Sequence, residues 1–260
     1  MGKKDNDISR FYSTENGDFN YLYTDHIKFS KKLFEEVETL FKEYNVKSVI
    51  DCCCGVGNDL KYLSRKGYDI FGSDLSFNMV DAATKNLNKD NISAKIIQSD
   101  VLYINENTEQ KFDLVIFRGN ALGHLNSDEQ KKAIDNLFKI TKYKGLMFID
   151  FRNGQIYHNK RKRFELRGFG IDKQNSEIYF SYYILNHPEH SFEKYYIKSK
   201  TLIFNYKKLK FRSVFGEIEA NYVIVDNIRD RIKYNNGQIL FEKNVSDGLQ
   251  ELQSLIILKK

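Results

Sequence analysis

Proline is nearly absent from the 260 residues. The single one, Pro188, lies in a turn, Asn186-His187-Pro188. Cysteine is almost as scarce. The three present, Cys52, Cys53 and Cys54, are consecutive, a spacing that suits neither a disulfide framework nor a zinc site. They read as small apolar residues at a strand end, in a reducing compartment. Long apolar runs are missing too. The longest have strand length, so no segment is expected to span a bilayer. The opening Met1-Gly2-Lys3-Lys4-Asp5 is polar and lacks the apolar stretch of a signal peptide. Asn6 stands where a myristoylation signal has Ser or Thr. A cytoplasmic location is the expectation. His158, His187 and His190 are too scattered to suggest a metal site, and none is expected.

What is present is a chain that is 41% hydrophobic, long enough for one large α/β domain with an inserted lobe. Apolar residues recur at near-helical spacing over residues 25–44, which predicts an amphipathic helix. Strand and helix patterns then alternate. Strands are expected at 46–52, 68–74, 94–100, 112–118 and 146–152. Helices are expected at 58–65, 76–86, with Ser76 as N-cap, and 127–141. Such alternation implies a parallel sheet with helices on both faces. After Gly154 the rhythm changes. Segments 163–171, 177–186, 192–205 and 209–225 are rich in Tyr, Phe, Ile and Val and predict antiparallel strands. A helix at 226–234 and strands at 238–243 and 254–259 close the chain. The expected division is therefore 1–154 for a helical segment and ligand-binding core, 155–225 for an antiparallel lobe, and 226–260 for the end of the core.

The net charge is +6, and its location matters more than its size. Between Gln155 and Arg212 there are 13 Lys/Arg against 5 Asp/Glu, about +8, leaving about −2 for the remainder. That excess is either a solvated lysine-rich surface or a field that draws anions to the lobe.

The apolar run 46–50 leads directly into Asp51-Cys52-Cys53-Cys54-Gly55-Val56-Gly57. Gly55 and Gly57 allow a sharp turn that presents backbone N–H groups to a ligand. A dinucleotide fingerprint needs a third glycine, where this chain has Leu60. Two more acids, Asp74 and Asp100, end the next two strands. Doubly wound sheets bind ligands at those carboxyl ends.

The pattern D-x-x-x-G-x-G, with "FGSDLSFNMVDAA", "QSDVLYI", "FDLVIFRGNALGHL" and "GLMFIDFRNG", resembles the ordered motifs of class I S-adenosylmethionine (SAM)-dependent methyltransferases. Gly119–Leu125 and Asp150–Asn153 are most similar to the glycine/sarcosine N-methyltransferase group and the related sugar methyltransferases. The resemblance covers about residues 20–155. It implies a Rossmann-like seven-stranded methyltransferase sheet with an inserted antiparallel β lobe, and SAM as cofactor. Asp51 would face the methionine ammonium and Asp74 the ribose hydroxyls. Asp100 and the N–H of Val101 would meet adenine, with Gly55, Gly57, Leu75, Met79 and Arg118 completing the cofactor site. His124 would orient the acceptor or take its proton. Arg152 would hold an acceptor carboxylate; the other reading of that residue is a salt bridge to Asp150 or another acid. Asn120, Tyr21 and Tyr23 are further acceptor-side candidates.

The expected reaction is methyl transfer to a hydroxyl or amine of a small polar, anionic metabolite, with a carboxylated or nucleotide-linked sugar preferred. An amino-acid N-methyltransferase is the alternative in the same class. RNA is a third acceptor class, because cations and aromatic residues interleave in the lobe, but no recognisable RNA-binding module accompanies them. Oligomeric state is left open.

Overall fold

The computed structural model describes residues 24–160, 163–173, 175–187, 194–246 and 251–260. Helix α1 (Thr24–Glu43) forms over the predicted amphipathic stretch and turns Leu33, Phe34, Val37 and Phe41 inward. There follow β1 (Ser48–Asp51), α2 (Asn58–Arg65), β2 (Asp69–Asp74), α3 (Phe77–Lys89) and β3 (Lys95–Gln98). A 3-10 turn, Val101–Tyr103, leads into the short α4 (Ile104–Asn107) and then β4 (Phe112–Phe117). A second 3-10 turn, Ala121–His124, precedes α5 (Ser127–Ile140) and β5 (Thr141–Phe151). Beyond them lie α6 (Gly154–Lys160), β6 (Phe164–Asp172), β7 (Glu177–Asn186), β8 (Lys194–Asn205) and β9 (Lys210–Asn221). The chain closes with α7 (Val225–Tyr234), β10 (Gly237–Ser246) and β11 (Glu251–Lys259).

Seven strands form one sheet in the order β10-β11-β5-β4-β1-β2-β3. Pairings among β1 to β5 are parallel, and β11 inserts antiparallel between β5 and β10. Period-two alternation sends the side chains to two cores. Ile50, Phe112, Val115, Phe117, Met147 and Ile149 meet α5 and α7. Val49, Leu114, Ile116, Leu146 and Phe148 meet α1, α2 and α3. The sheet is thus covered on both faces, and only strand ends remain for ligands. The strand order reverses between β1 and β4, which opens a crevice at their carboxyl ends.

The second sheet is an antiparallel meander, β6-β7-β8-β9. It is tethered beside the crevice. The N–H of Gly154 donates to the Val223 carbonyl at 2.8 Å, and Asn153 forms a parallel bridge with Val223. A side chain at Gly154 would strike Tyr222 and Val223 at under 3 Å, so the two strand-exit segments can meet only there.

Local details differ from the sequence reading. Ser76 occupies the N-cap position of α3, but its side chain caps nothing; its N–H donates to Asp74 Oδ1 at 2.9 Å. The fully developed cap is at α5, where Asn126 and Glu129 form a capping box. The two 3-10 turns and the short helices α4 and α6 carry too few residues for a periodic signal. Strand β9 ends at Asn221 rather than 225, because the chain turns there to bridge Asn153. Among the described residues, no helix is long and apolar enough to cross a membrane.

Candidate active site

The crevice is lined from the ends of strands β1 to β5. Asp51 ends β1, and burial pushes its carboxyl up to about 8; the nearby Asp59 carboxylate adds to the rise, while the Cys53 N–H and Arg118 oppose it. Its Oδ1 accepts that N–H at 3.1 Å. Cys52, Cys53 and Cys54 form the turn itself. Burial raises all three thiols well above the ordinary range, so they stay protonated packing groups.

Gly55 sits at φ +52°, and its N–H donates to Asp74 Oδ2 at 2.9 Å. Asp74 thereby clamps the glycine turn to the end of β2, with its other oxygen on the Ser76 N–H. Burial raises its carboxyl too, and these N–H donors oppose the rise. Asp100 caps the turn after β3 through the Leu102 N–H at 2.8 Å. Leu75, Met79 and Val101 supply apolar wall beside these acids. Gly57, at φ +82°, starts α2, and a Cβ there would press on Ala83 at 3.3 Å.

Arg118, at the end of β4, lies in the crevice wall and is bound to protein through Nε and NH1, while its buried NH2 has no hydrogen-bond partner among the described residues. Its Nε donates to Asp150 Oδ2 at 2.7 Å and its NH1 to Asp59 Oδ2 at 2.9 Å. The guanidinium packs between Phe34 and Phe148, at 5.0 and 4.7 Å from the ring centres. Burial alone would lower its pKa, but Asp150 and Asp59 hold it above the usual value. Asp150, at the β5 end, also accepts from the N–H groups of Gly119 and Asn120, at 2.7 and 3.2 Å. Asn120 is left-handed at φ +63°, and its Oδ1 accepts the Arg152 N–H at 2.8 Å. Gly123 leaves room for the Asn120 amide, which a Cβ would meet at 2.6 Å. The two motifs after β4 and β5 are thus one hydrogen-bonded unit, and His124 emerges from it into the crevice.

Arg152 also reaches the wall, but its NH2 donates to buried Glu165 Oε1 at 2.9 Å. A salt bridge is thus present, with Glu165 of β6 as the acid, and Asp150 pairs with Arg118. Tyr183, from β7, also lines the crevice and was not anticipated; a tyrosine in an alternating strand carries no sequence signal that separates a site residue from packing. Tyr21 and Tyr23 lie outside the described residues. Among the described residues no cluster of His, Cys, Asp or Glu could hold a metal ion.

The residue set fits SAM: three carboxylates in succession at strand ends, with apolar flanks. Comparison with known proteins agrees. Over 93% of its length the chain superposes on 97% of an S-adenosylmethionine-dependent methyltransferase from Clostridium acetobutylicum (TM-score 0.73, 18% identity). Over 95% it superposes on 99% of a SAM-bound amino pentose methyltransferase from Micromonospora echinaspora (TM-score 0.71, 10% identity). The fold is that of the class I SAM-dependent methyltransferases. Residues 49–145 match the family model for a methyltransferase domain. A glycine/sarcosine N-methyltransferase from Parasynechococcus marenigrum is 30% identical over 115 residues, 44% of this chain and 41% of that protein. One from Aphanothece halophytica is 30% identical over 118 residues, 45% and 44% respectively. The matches thus span less than half the length of these curated relatives.

Proposed function

We propose that the protein transfers a methyl group from SAM to an amine or hydroxyl of a small polar acceptor, with a sugar preferred. The observation that carries this reading is one crevice holding Asp51, Asp74 and Asp100 at one end and His124, Arg152 and Tyr183 at the other. Asp51, Asp74 and Asp100 would hold the cofactor's ammonium, ribose and adenine, which present respectively a cation, a diol and an amine donor. When bound, SAM supplies a methyl group on a sulfonium, open to in-line displacement. The protein's part is to align the acceptor, exclude water and manage one proton. His124 accepts that proton, or holds the acceptor by a hydrogen bond, from the end of its 3-10 turn. The β6–β9 sheet acts as the substrate lobe, with Tyr183 offering a ring face and a hydroxyl.

Arg152 has its charge matched by Glu165, so an acidic acceptor draws instead on the lobe's lysines and arginines. Several of those are themselves paired: Lys194 with Glu219, Lys198 with Glu217 and Arg212 with Glu177. The whole-length likeness to sugar methyltransferases, one of them a sugar N-methyltransferase from Streptoalloteichus (TM-score 0.66, 14% identity), supports the sugar reading, since it extends through the lobe. The amino-acid N-methyltransferase reading is favoured by a different observation, the 30% identity to a glycine/sarcosine N-methyltransferase over 115 residues. A screen with methyl-labelled SAM against amino sugars, uronates, nucleotide sugars and glycine separates the two. Labelled sugar is the expected product. Label on glycine alone overturns the preference, and RNA as acceptor would show a steep salt dependence.

A further inference from the structure

Strand β6 inverts the usual pattern at its start. Phe164 is exposed, while the next residue, Glu165, is buried. The register sets Glu165 directly opposite Tyr183 of β7, so the two share one face of the sheet, and Tyr183 lines the crevice from it. A register shift between Leu166 and Gly168 bends the strand just beyond Glu165. Arg152 lines the crevice as well, and its NH2 donates to Glu165 Oε1 at 2.9 Å. Both side chains are buried. The Arg152 backbone is held too, since its N–H donates to Asn120 Oδ1 in the loop that ends in His124. A guanidinium on a crevice wall is a receptor for a planar carboxylate. Here the protein supplies the carboxylate itself. Stability is a poor reason for the pair, because two apolar side chains of the same volume commonly serve as well as a buried ion pair.

We propose that Glu165 is a specificity-determining residue: it occupies Arg152 from within the protein, and so restricts the crevice to acceptors that carry no carboxylate beside the methylated atom. This rests on the methyl-transfer reading above and narrows its acceptor class to amino or neutral sugars, against amino acids and uronates. Charge argues for it. The buried pair is neutral as a unit. A carboxylate brought against it meets Glu165 as a like charge away from bulk water, or displaces Glu165 and leaves that acid buried without its cation. Either course is costly. Rejection of the wrong ligand by an unmatched charge sets specificity as effectively as attraction of the right one. An amine or hydroxyl acceptor brings no such charge to the wall. Acidic groups further from the transfer point are left to the lysines and arginines of the lobe.

The test uses the full chain, with acetate as the smallest carboxylate and acetamide as its neutral counterpart. In thermal unfolding at constant ionic strength, Glu165→Gln leaves Arg152 to a partner from solution. Acetate should raise the melting temperature of that variant saturably, and acetamide should not. Wild type should respond to neither. Arg152→Gln/Glu165→Gln lacks both charges and should not gain the response. A purely structural pair would lower the stability of Glu165→Gln without creating an acetate site. Transfer of labelled methyl from SAM is the second arm. Wild type should favour an amino sugar over the matching uronate, and Glu165→Gln should narrow that ratio roughly tenfold. A wild type stabilised by acetate as strongly as Glu165→Gln overturns the inference. So does a folded Glu165→Gln protein unmoved by acetate, or a wild type that prefers glycine or the uronate. The wild-type preference decides the matter where Glu165→Gln fails to fold. The acetate arm involves no transfer: an intact acetate response with no transfer to any acceptor supports the role of Glu165 and counts against the methyl-transfer reading alone.

Discussion

At the scale of single residues, Asp51 and Asp74 carry the sharpest expectations. Asp74→Ala removes the proposed ribose acceptor and the Gly55 clamp together. Calorimetry should show SAM affinity reduced by about 1.5–3 kcal/mol, the worth of hydrogen bonds to a charged group; unchanged affinity in a folded variant contradicts the assignment. Asp51 has its pKa raised to about 8 by burial and by Asp59. In the ligand-free fold it therefore keeps its proton between the unfolded value near 4 and about pH 8. The folded state binds more protons than the unfolded over that window, so stability falls as pH rises through it. A cationic ammonium favours the ionised form, so SAM affinity should rise from pH 6 to 8 with release of a proton. Asp51→Asn should flatten both profiles, in thermal melts and in calorimetry across buffers of different ionisation enthalpy. A stability profile identical to wild type would show that Asp51 titrates normally.

At the scale of elements, the strand ends were legible and the ties between them were not. The alternation of apolar segments with Gly55, Asp74 and Asp100 at fixed offsets is local chemistry, and the sheet β1 to β5 follows from it. The Asp59–Arg118–Asp150 network joins residues far apart in the chain, and no local pattern says which acid an arginine meets. The same holds for Arg152, whose partner Glu165 sits in a strand of another sheet. Gly55 and Gly57 look alike in sequence; only the structure shows that a Cβ at Gly57 would press on Ala83 while Gly55 has open space. The Arg152–Glu165 pair gives an element-scale test. Arg152→Ala leaves Glu165 buried without its cation and should lower stability by about 3–5 kcal/mol. Arg152→Ala/Glu165→Gln should recover most of that, as read by denaturant unfolding. A single variant of wild-type stability with a raised acceptor KM would return Arg152 to direct acceptor binding.

At the scale of the whole molecule, a covered seven-stranded sheet leaves one crevice at its switch point, and a second sheet stands beside it with Tyr183 in the wall. The second sheet is where acceptor choice is proposed to lie. The β4 and β5 motifs jointly present His124 to the crevice. The most direct measurement is single-turnover transfer of labelled methyl from SAM to the best acceptor of the screen, alongside SAM binding, for wild type and His124→Ala. The account predicts transfer by the wild type, slowed roughly 10² to 10⁴-fold in the variant, with SAM affinity nearly unchanged. Binding of SAM without transfer to any small acceptor, or a variant as fast as wild type, would contradict it.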